Sequence, residues 1–129
     1  MPEASPVGLI TAMPEEAAAL LADLSGPIKT VEHGRRTFHT GTLADAPVVL
    51  VVSRVGKVAA ATTATELILR FNVGSLLLTG VAGGLGPDTH IGDIVIADRL
   101  IQHDMDASPI WPKRTIPLLD IETFHADPF

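Results

Sequence analysis

The sequence contains no cysteine and few positive charges. Without cysteine, neither a disulfide framework nor a thiolate metal site can form. Nine Lys and Arg residues stand against fifteen Asp and Glu residues, which gives a net charge of −6. No basic run accompanies this balance, so the composition argues against nucleic acid as a partner.

Long apolar runs are absent as well. No stretch of about 18 apolar residues is present to span a membrane. The opening segment, MPEASPVGLITAMPEE, lacks the basic region and the apolar core of a signal peptide. We therefore expect a cytoplasmic protein with no membrane partner.

Apolar residues make up 47% of the 129 positions, which is enough for one domain with a sizeable core. They fall in short runs with strand character and longer runs with helical spacing, and this order predicts an α/β fold. The predicted strands cover residues 7–12, 28–32, 36–42, 48–53, 75–79 and 91–106. The predicted helices cover residues 14–24 and 57–71.

The sequence also predicts how these elements are packed and connected. The strand, helix and strand over 48–79 form a βαβ unit, which implies parallel pairing and a right-handed crossover. Both strands are continuous apolar runs and are expected to be buried. The second helix is expected to pack through one side, and we expect Ser25-Gly26-Pro27 to be a stop after the first helix. Residues 109–129, interrupted by prolines, predict an extended loop with a short helix near the end. The side of the second helix predicted to pack consists of Val58, Ala61, Ala64 or Thr65, Ile68 and Phe71.

A glycine-rich loop follows the predicted strand over 75–79, in the segment LLLTGVAGGLG. Open α/β sheets usually bind ligands at the carboxyl ends of their strands, and glycine lets another group approach the backbone closely. The spacing matches neither the dinucleotide fingerprint nor a Walker loop. From spacing alone, a ligand-binding loop and a plain tight turn remain equally good interpretations.

The segment Met13-Pro14-Glu15-Glu16 follows the first predicted strand. Proline and two acidic residues are typical of a helix start, because the acids oppose the positive end of the helix dipole. A carboxylate at this end of the sheet could also act as a general base on water. Both interpretations remain open.

The segment His103-Asp104-Met105-Asp106 contains potential metal ligands. On the predicted strand, Asp104 and Asp106 share one face and His103 lies on the other, which is a poor arrangement for a compact site. We therefore expect no metal.

Three segments together resemble the nucleoside phosphorylase superfamily, and most closely its 5'-methylthioadenosine/S-adenosylhomocysteine nucleosidases. The resemblance covers roughly residues 7–106. It implies a mixed central sheet with flanking helices, a homodimer, and hydrolysis of a purine nucleoside to adenine and a 5-thioribose without any metal or organic cofactor. The segments are VGLITAMPEE, SRVGKVAAATTATELI and LLLTGVAGGLGPDTHIGDIVIADRLIQHDMD.

The resemblance also implies roles for individual residues. Glu16 matches the family's carboxylate that activates the attacking water, and Met13 and Val55 match apolar residues beside the 5'-alkylthio group. The loop lining base and ribose corresponds to Val81, Ala82 and Gly83. Ala107, Ile110 and Pro112 fall where the family sends residues into the neighbouring subunit's pocket.

The sequence departs from the family pattern at two points. Val81 stands where these nucleosidases usually carry serine, and residues 109–129 do not follow the typical loop. The family's general acid and its ribose-binding glutamate have no counterpart, and the roles are not assigned to Asp120, Glu122 or Asp127. We therefore expect residues 1–129 to form one partial, truncated nucleoside phosphorylase-like domain with an incomplete active site.

Two other functions stay open. A phosphate-dependent phosphorylase needs cationic groups around phosphate. Arg54 could be such a group, so this alternative function stays open. A noncatalytic nucleoside-binding or assembly module would use exposed apolar sheet edges to pair with a partner.

Overall fold

The computed structural model describes residues 5–128 and divides the chain into two compact units, Met1–Gly83 and Gly84–Phe129. The prediction of one partial domain over residues 1–129 stays a prediction. Within the described residues, no helix is long and apolar enough to cross a membrane. The elements are β1 (Val7–Thr11), α1 (Pro14–Asp23), β2 (Ser25–His33), β3 (Arg36–Leu43), β4 (Ala46–Val52), α2 (Lys57–Phe71), β5 (Ser75–Leu78), β6 (Arg99–Ile101) and β7 (Thr123–His125).

The first unit is built on a five-stranded mixed sheet in the order β2-β3-β4-β1-β5. β1 pairs in parallel with β4 on one side and with β5 on the other. β2, β3 and β4 are joined in antiparallel pairs. The predicted α/β class with a mixed central sheet is confirmed. β4 and β5, which α2 connects, run parallel as expected, but they do not pair with each other because β1 lies between them.

The core lies on both faces of this sheet, because successive strand residues point to opposite sides. One cluster combines Ile10, Phe38, Val49 and Val51 with Leu67 of α2. The other cluster combines Leu9, Val48 and Leu50 with Leu24, and Leu20 and Leu21 of α1 pack against it. The two helices therefore cover opposite faces of the central strands.

α2 has the predicted bounds, but its packing face differs from the predicted one. Asn72 ends the helix in the left-handed conformation, with φ of 51°. Thr63 and Leu67 are its fully buried residues, whereas Val58 and Ile68 are largely exposed. Ala64 and Phe71 do pack against the core, as expected. Val58, Ala61 and Ile68 follow an equally good helical spacing on another side, and the sheet contacts Thr63 and Leu67 instead.

β2 and β3 form a hairpin that turns at Gly34 and Arg35, between the strands predicted over 28–32 and 36–42. Both residues have positive φ, 56° and 58°, which is the geometry of the tight two-residue turns that match the twist of a hairpin. α1 ends at Asp23, so the helix stop predicted at Ser25-Gly26-Pro27 is confirmed. The same residues also begin β2, which was predicted only from residue 28, and a register shift follows between Ser25 and Lys29. The longer β2 forms because β3 supplies partners along its length.

β5 forms as predicted but is not buried. It is one of the two outer strands of the sheet and, among residues 5–128, pairs with β1 alone. Its side chains from Leu76 to Leu78 are 41% to 66% exposed. β5 therefore lacks the second neighbouring strand that β1 has.

The second unit differs from the sequence prediction most. Of the long strand predicted over 91–106, only β6 forms, paired antiparallel with β7. The helix expected near the end is absent from the described residues, and β7 occupies that place. His103 and Asp104 lie in a turn, so the alternation of strand faces predicted for residues 103–106 is wrong there.

Candidate functional site

Three strand ends meet at one edge of the sheet in the first unit. β1 lies between β4 and β5 and runs parallel to both, so their carboxyl ends are neighbours. Backbone hydrogen bonds extend the pairing past the strands, from Ser53 N–H to the Thr11 carbonyl (2.8 Å) and from Thr79 N–H to the Ile10 carbonyl (3.0 Å). Backbone hydrogen bonds therefore connect the three loops at the points where they leave the strands.

Glu16 lies on the first turn of α1, immediately after β1. Its Oε2 accepts hydrogen bonds from the N–H groups of Ala12 (2.8 Å) and Met13 (3.0 Å). The bond to Met13 is partly a helix cap, since a glutamate at the third helical position commonly reaches back to the capping residue. The two acidic residues predicted for a helix start thus occupy that place.

The second carboxylate oxygen of Glu16 makes a contact that a helix cap does not require. Oε1 accepts a hydrogen bond from Val81 N–H at 3.0 Å, across 65 residues of sequence. Val81 belongs to the glycine-rich loop after β5. The side chain therefore bridges the loop after β1 and the loop after β5.

The electrostatic environment of Glu16 favours the ionised form. Hydrogen bonds from the N–H groups of Val81, Ala12 and Met13, the largest cause first, hold its pKa below the ordinary value, and burial opposes this effect. A carboxylate with several backbone donors is stabilised as the anion. At neutral pH the group is a negative charge and a hydrogen-bond acceptor at the sheet edge.

The other residues predicted for the site lie on the same three loops. Val55 follows β4 and is 76% exposed, and Val81 is 79% exposed. Met13 is half-buried, while Ala82 and Gly83 are exposed. Hydrogen bonds join Glu16 to Met13 and Val81. The positions of the other three residues follow from the strands before them: β4 precedes Val55, and β5 precedes Ala82 and Gly83. Ala107, Ile110 and Pro112 belong to the second unit.

The loop after β4 contains two unusual backbone conformations. Arg54 and Gly56 have φ of 74° and 111°. The Arg54 guanidinium donates to the Gly34 carbonyl at 3.1 Å, and the buried Ser53 hydroxyl lies 3.1 Å from the Thr11 carbonyl. Sequence reasoning missed the Ser53–Thr11 contact, because nothing in a lone serine indicates it.

Gly80 is a further residue whose role sequence reasoning did not identify. The glycine-rich loop indicated a close approach to the backbone. The structure shows that the approaching group at Gly80 is the Glu16 carboxylate.

Two cavities are formed by other residues. One, of about 350 Å³, lies in the second unit and is lined by His103, Asp104, Met105, Asp106, Lys113 and Arg114. The other, of about 790 Å³, lies at the opposite edge of the five-stranded sheet, where Pro6, Pro47 and Asn72 are among its lining residues. Within residues 5–128, no three His, Asp or Glu side chains are grouped as a metal site requires. The hydrogen-bonded carboxylate makes the strand-end edge the better candidate for chemistry.

Two curated nucleosidases are similar to this chain in sequence. The chain is 41% identical over 102 residues to a 5'-methylthioadenosine/S-adenosylhomocysteine nucleosidase of Aeromonas salmonicida, covering 79% of this chain and 44% of that protein. It is 35% identical over 102 residues to an aminodeoxyfutalosine nucleosidase of Helicobacter pylori, with the same coverage. The chain thus spans less than half the length of these curated relatives.

A solved structure extends the similarity to the fold. The 5'-methylthioadenosine/S-adenosylhomocysteine nucleosidase of Colwellia psychrerythraea, in complex with adenine, matches with a TM-score of 0.88 and 36% identity, covering 95% of this chain and 50% of that one. The sequence also matches the family model for the phosphorylase superfamily over residues 6–129. Because this match includes nearly the whole chain, the protein belongs to the phosphorylase superfamily.

Proposed function

We propose that this chain contributes the water-activating side of the active site of a nucleosidase, which hydrolyses the N-glycosidic bond of 5'-methylthioadenosine or S-adenosylhomocysteine-type nucleosides. The observation that carries the proposal is the Glu16 carboxylate, held at the strand ends by N–H groups of two loops. The products are adenine and a 5-thioribose. The named activities of the relatives support this substrate class.

The chemistry requires a group of this kind. Departure of the purine develops positive charge on the ribose, as in other glycoside hydrolyses. A carboxylate can take a proton from the attacking water and stabilise the cationic sugar electrostatically. Glu16 fills both roles in the proposal, and we assign no residue of this chain to protonation of the leaving purine.

The neighbouring residues define the rest of the proposed site. Val81, Ala82 and Gly83 line the base and ribose, and Met13 and Val55 lie beside the 5'-alkylthio group. The exposed side chains of Val55 and Val81 offer apolar surface at the same edge as the carboxylate. No cofactor enters the proposed reaction.

The direct test compares Glu16→Gln with the matched variant Glu15→Gln, in the protein as its gene encodes it. Adenine release from 5'-methylthioadenosine is measured together with nucleoside binding. We expect Glu16→Gln to lower the rate by about 10²- to 10⁴-fold and to retain binding, since the amide cannot accept the proton. Glu15→Gln should leave the rate unchanged, because Glu15 is an exposed neighbour on the same helical turn. Equal effects of the two variants would contradict the assignment.

Two features of the site favour hydrolysis over phosphorolysis in this proposal. Glu16 places negative charge where phosphate would need positive charge, and the Arg54 guanidinium is engaged with the Gly34 carbonyl. Adenine release should therefore proceed equally with and without added phosphate. A strict requirement for phosphate would replace this proposal by the phosphorylase alternative.

We further propose that the protein is cytoplasmic and forms a homodimer, in which Ala107, Ile110 and Pro112 reach the neighbouring subunit's 5' pocket. The apolar exposed side chain of Ile110 supports this role. The mass in solution tests the dimer. A well-folded monomer whose melting temperature is unchanged by adenosine would favour neither this proposal nor a nucleoside-binding module.

A further inference from the structure

Gly80 lies where the Glu16 carboxylate reaches the glycine-rich loop. A Cβ atom built on Gly80 would be 2.5 Å from Glu16 Oε1 and 2.8 Å from its Cδ. Both separations are shorter than real Cβ contacts. A side chain at position 80 and the carboxylate in its present place are therefore mutually exclusive.

The backbone of Gly80 does not itself demand glycine. Its φ lies outside the left-handed region, in contrast to Gly26, Gly34, Gly56 and Gly92. Alanine at this position would be opposed by the Glu16 carboxylate rather than by backbone strain. Gly83, three residues later, has open space around a hypothetical Cβ atom.

The next residue donates the hydrogen bond that the close approach permits. Val81 N–H binds Glu16 Oε1 at 3.0 Å. Ala12 and Met13 bind only the other oxygen, Oε2. Local helix capping can therefore hold one oxygen, whereas the orientation of the whole carboxylate depends on the loop after β5.

We propose that Gly80 is a positioning residue: the absence of its side chain admits the Glu16 carboxylate to the Val81 N–H, and so sets the place from which Glu16 acts. The catalytic consequence rests on the function proposed above. The positional claim rests only on the contacts among Gly80, Val81 and Glu16.

The first test follows the titration of Glu16 by NMR, through its side-chain carboxyl and the Val81 amide, in wild type, Gly80→Ala and Gly83→Ala. In wild type, the Val81 amide should respond to Glu16, whose pKa lies below the ordinary value. In Gly80→Ala, the midpoint should rise and the amide response should disappear. Gly83→Ala makes the same chemical change in the same loop and should leave both as in wild type. An unchanged titration in Gly80→Ala, or an equal change in Gly83→Ala, would overturn the proposal.

The second test asks whether the carboxylate is what excludes a side chain. Gly80→Ala is introduced into wild type and into Glu16→Ala, and the melting temperatures of the four proteins are compared. If the proposal is right, most of the loss caused by Gly80→Ala disappears in the Glu16→Ala background, because the obstructing group is gone. A loss of the same size in both backgrounds would assign Gly80 to packing alone. This comparison also decides the case in which Gly80→Ala does not fold by itself.

A third measurement connects position with catalysis. Misplacement of a reacting group by about 1 Å can cost about 10²-fold in rate. We expect Gly80→Ala to lower kcat by about that factor with little change in KM, whereas a loss confined to KM would contradict a positioning role. If wild type does not release adenine while both preceding tests succeed, the proposed function fails and the assignment of Gly80 stands.

Discussion

The two units of this chain hold themselves together in different ways. Every fully buried side chain among residues 5–128 belongs to the first unit, where α1 and α2 cover two faces of one sheet. The second unit contains a short strand pair and an isolated bridge, between Ile116 and Ile121. Exposed ion pairs accompany these elements, including Arg114–Glu122 at 2.7 Å.

Apolar sequence alone does not account for this difference. The second unit also has apolar residues at strand-like positions, and Ile91, Ile94 and Val95 are almost entirely exposed. β1 is a regular strand because β4 and β5 satisfy its backbone on both sides. A strand needs partners for its N–H and carbonyl groups, and apolar character does not supply them.

The largest expected effect comes from removing a core side chain of the first unit. Phe38 is completely buried and stacks on Phe71, with ring centroids 4.8 Å apart. Phe38→Ala should lower the free energy of unfolding by about 3–5 kcal/mol, measured by urea denaturation. Phe124→Ala, in the second unit, removes a 41% exposed ring and should cost about 0.5 kcal/mol. Similar losses of unfolding free energy in the two variants would contradict the proposed difference between the units.

A smaller effect is expected from the ion pairs of the second unit. Arg114→Met should lower the local stability by about 0.2–1 kcal/mol, and less at high salt, because both side chains of the pair are about half-exposed. Hydrogen exchange of the Ile116 amide, which bonds to the Ile121 carbonyl within the loop closed by this pair, reports the change. Arg99→Met is the control, since its partner Asp98 is the adjacent residue. A loss of several kcal/mol would mean that Arg114 supports more than a surface contact.

The smallest effect concerns pH, and each unit contains one carboxylate to compare. The pKa of Glu16 is lowered by backbone N–H groups, and the pKa of Asp106 is lowered first by the Ser108 hydroxyl, then by the Ser108 N–H and Lys113. A lowered folded-state pKa means that each group adds stability above its unfolded pKa and loses it as the pH falls through the folded value. The loss should therefore appear below about pH 4.

Hydrogen exchange measured between pH 5 and pH 3 separates the two contributions. Glu16→Gln should flatten the acid-induced loss of protection in the first unit, and Asp106→Asn should do so in the second. Glu15→Gln serves as the control that changes charge on the same helical turn as Glu16. A flattening by Glu15→Gln equal to that by Glu16→Gln would assign the effect to general charge rather than to the hydrogen bonds.

Local patterns predicted much of the first unit. Pro14 and the two glutamates marked the start of α1, and the bounds of α2 agree with the prediction at both ends. These signals succeed because a helix start and a left-handed end are decided by a few neighbouring residues. The face of α2 was predicted only in part, since Val58 and Ile68 satisfy helical spacing as well as Thr63 and Leu67 do. Which side packs depends on the sheet.

The sequence by itself determined that Glu16 stands at a strand–helix junction, with the dipole-matched acids of a helix start. It also determined that a glycine-rich loop follows another apolar strand. Only the tertiary structure decided that these two features meet, because β1 and β5 pair in parallel and bring Glu16 to Val81 across 65 residues. The same pairing brings the Glu16 carboxylate to Gly80. The glycine-rich sequence indicated that some group approaches the backbone closely, but it could not show that this group comes from a distant part of the chain.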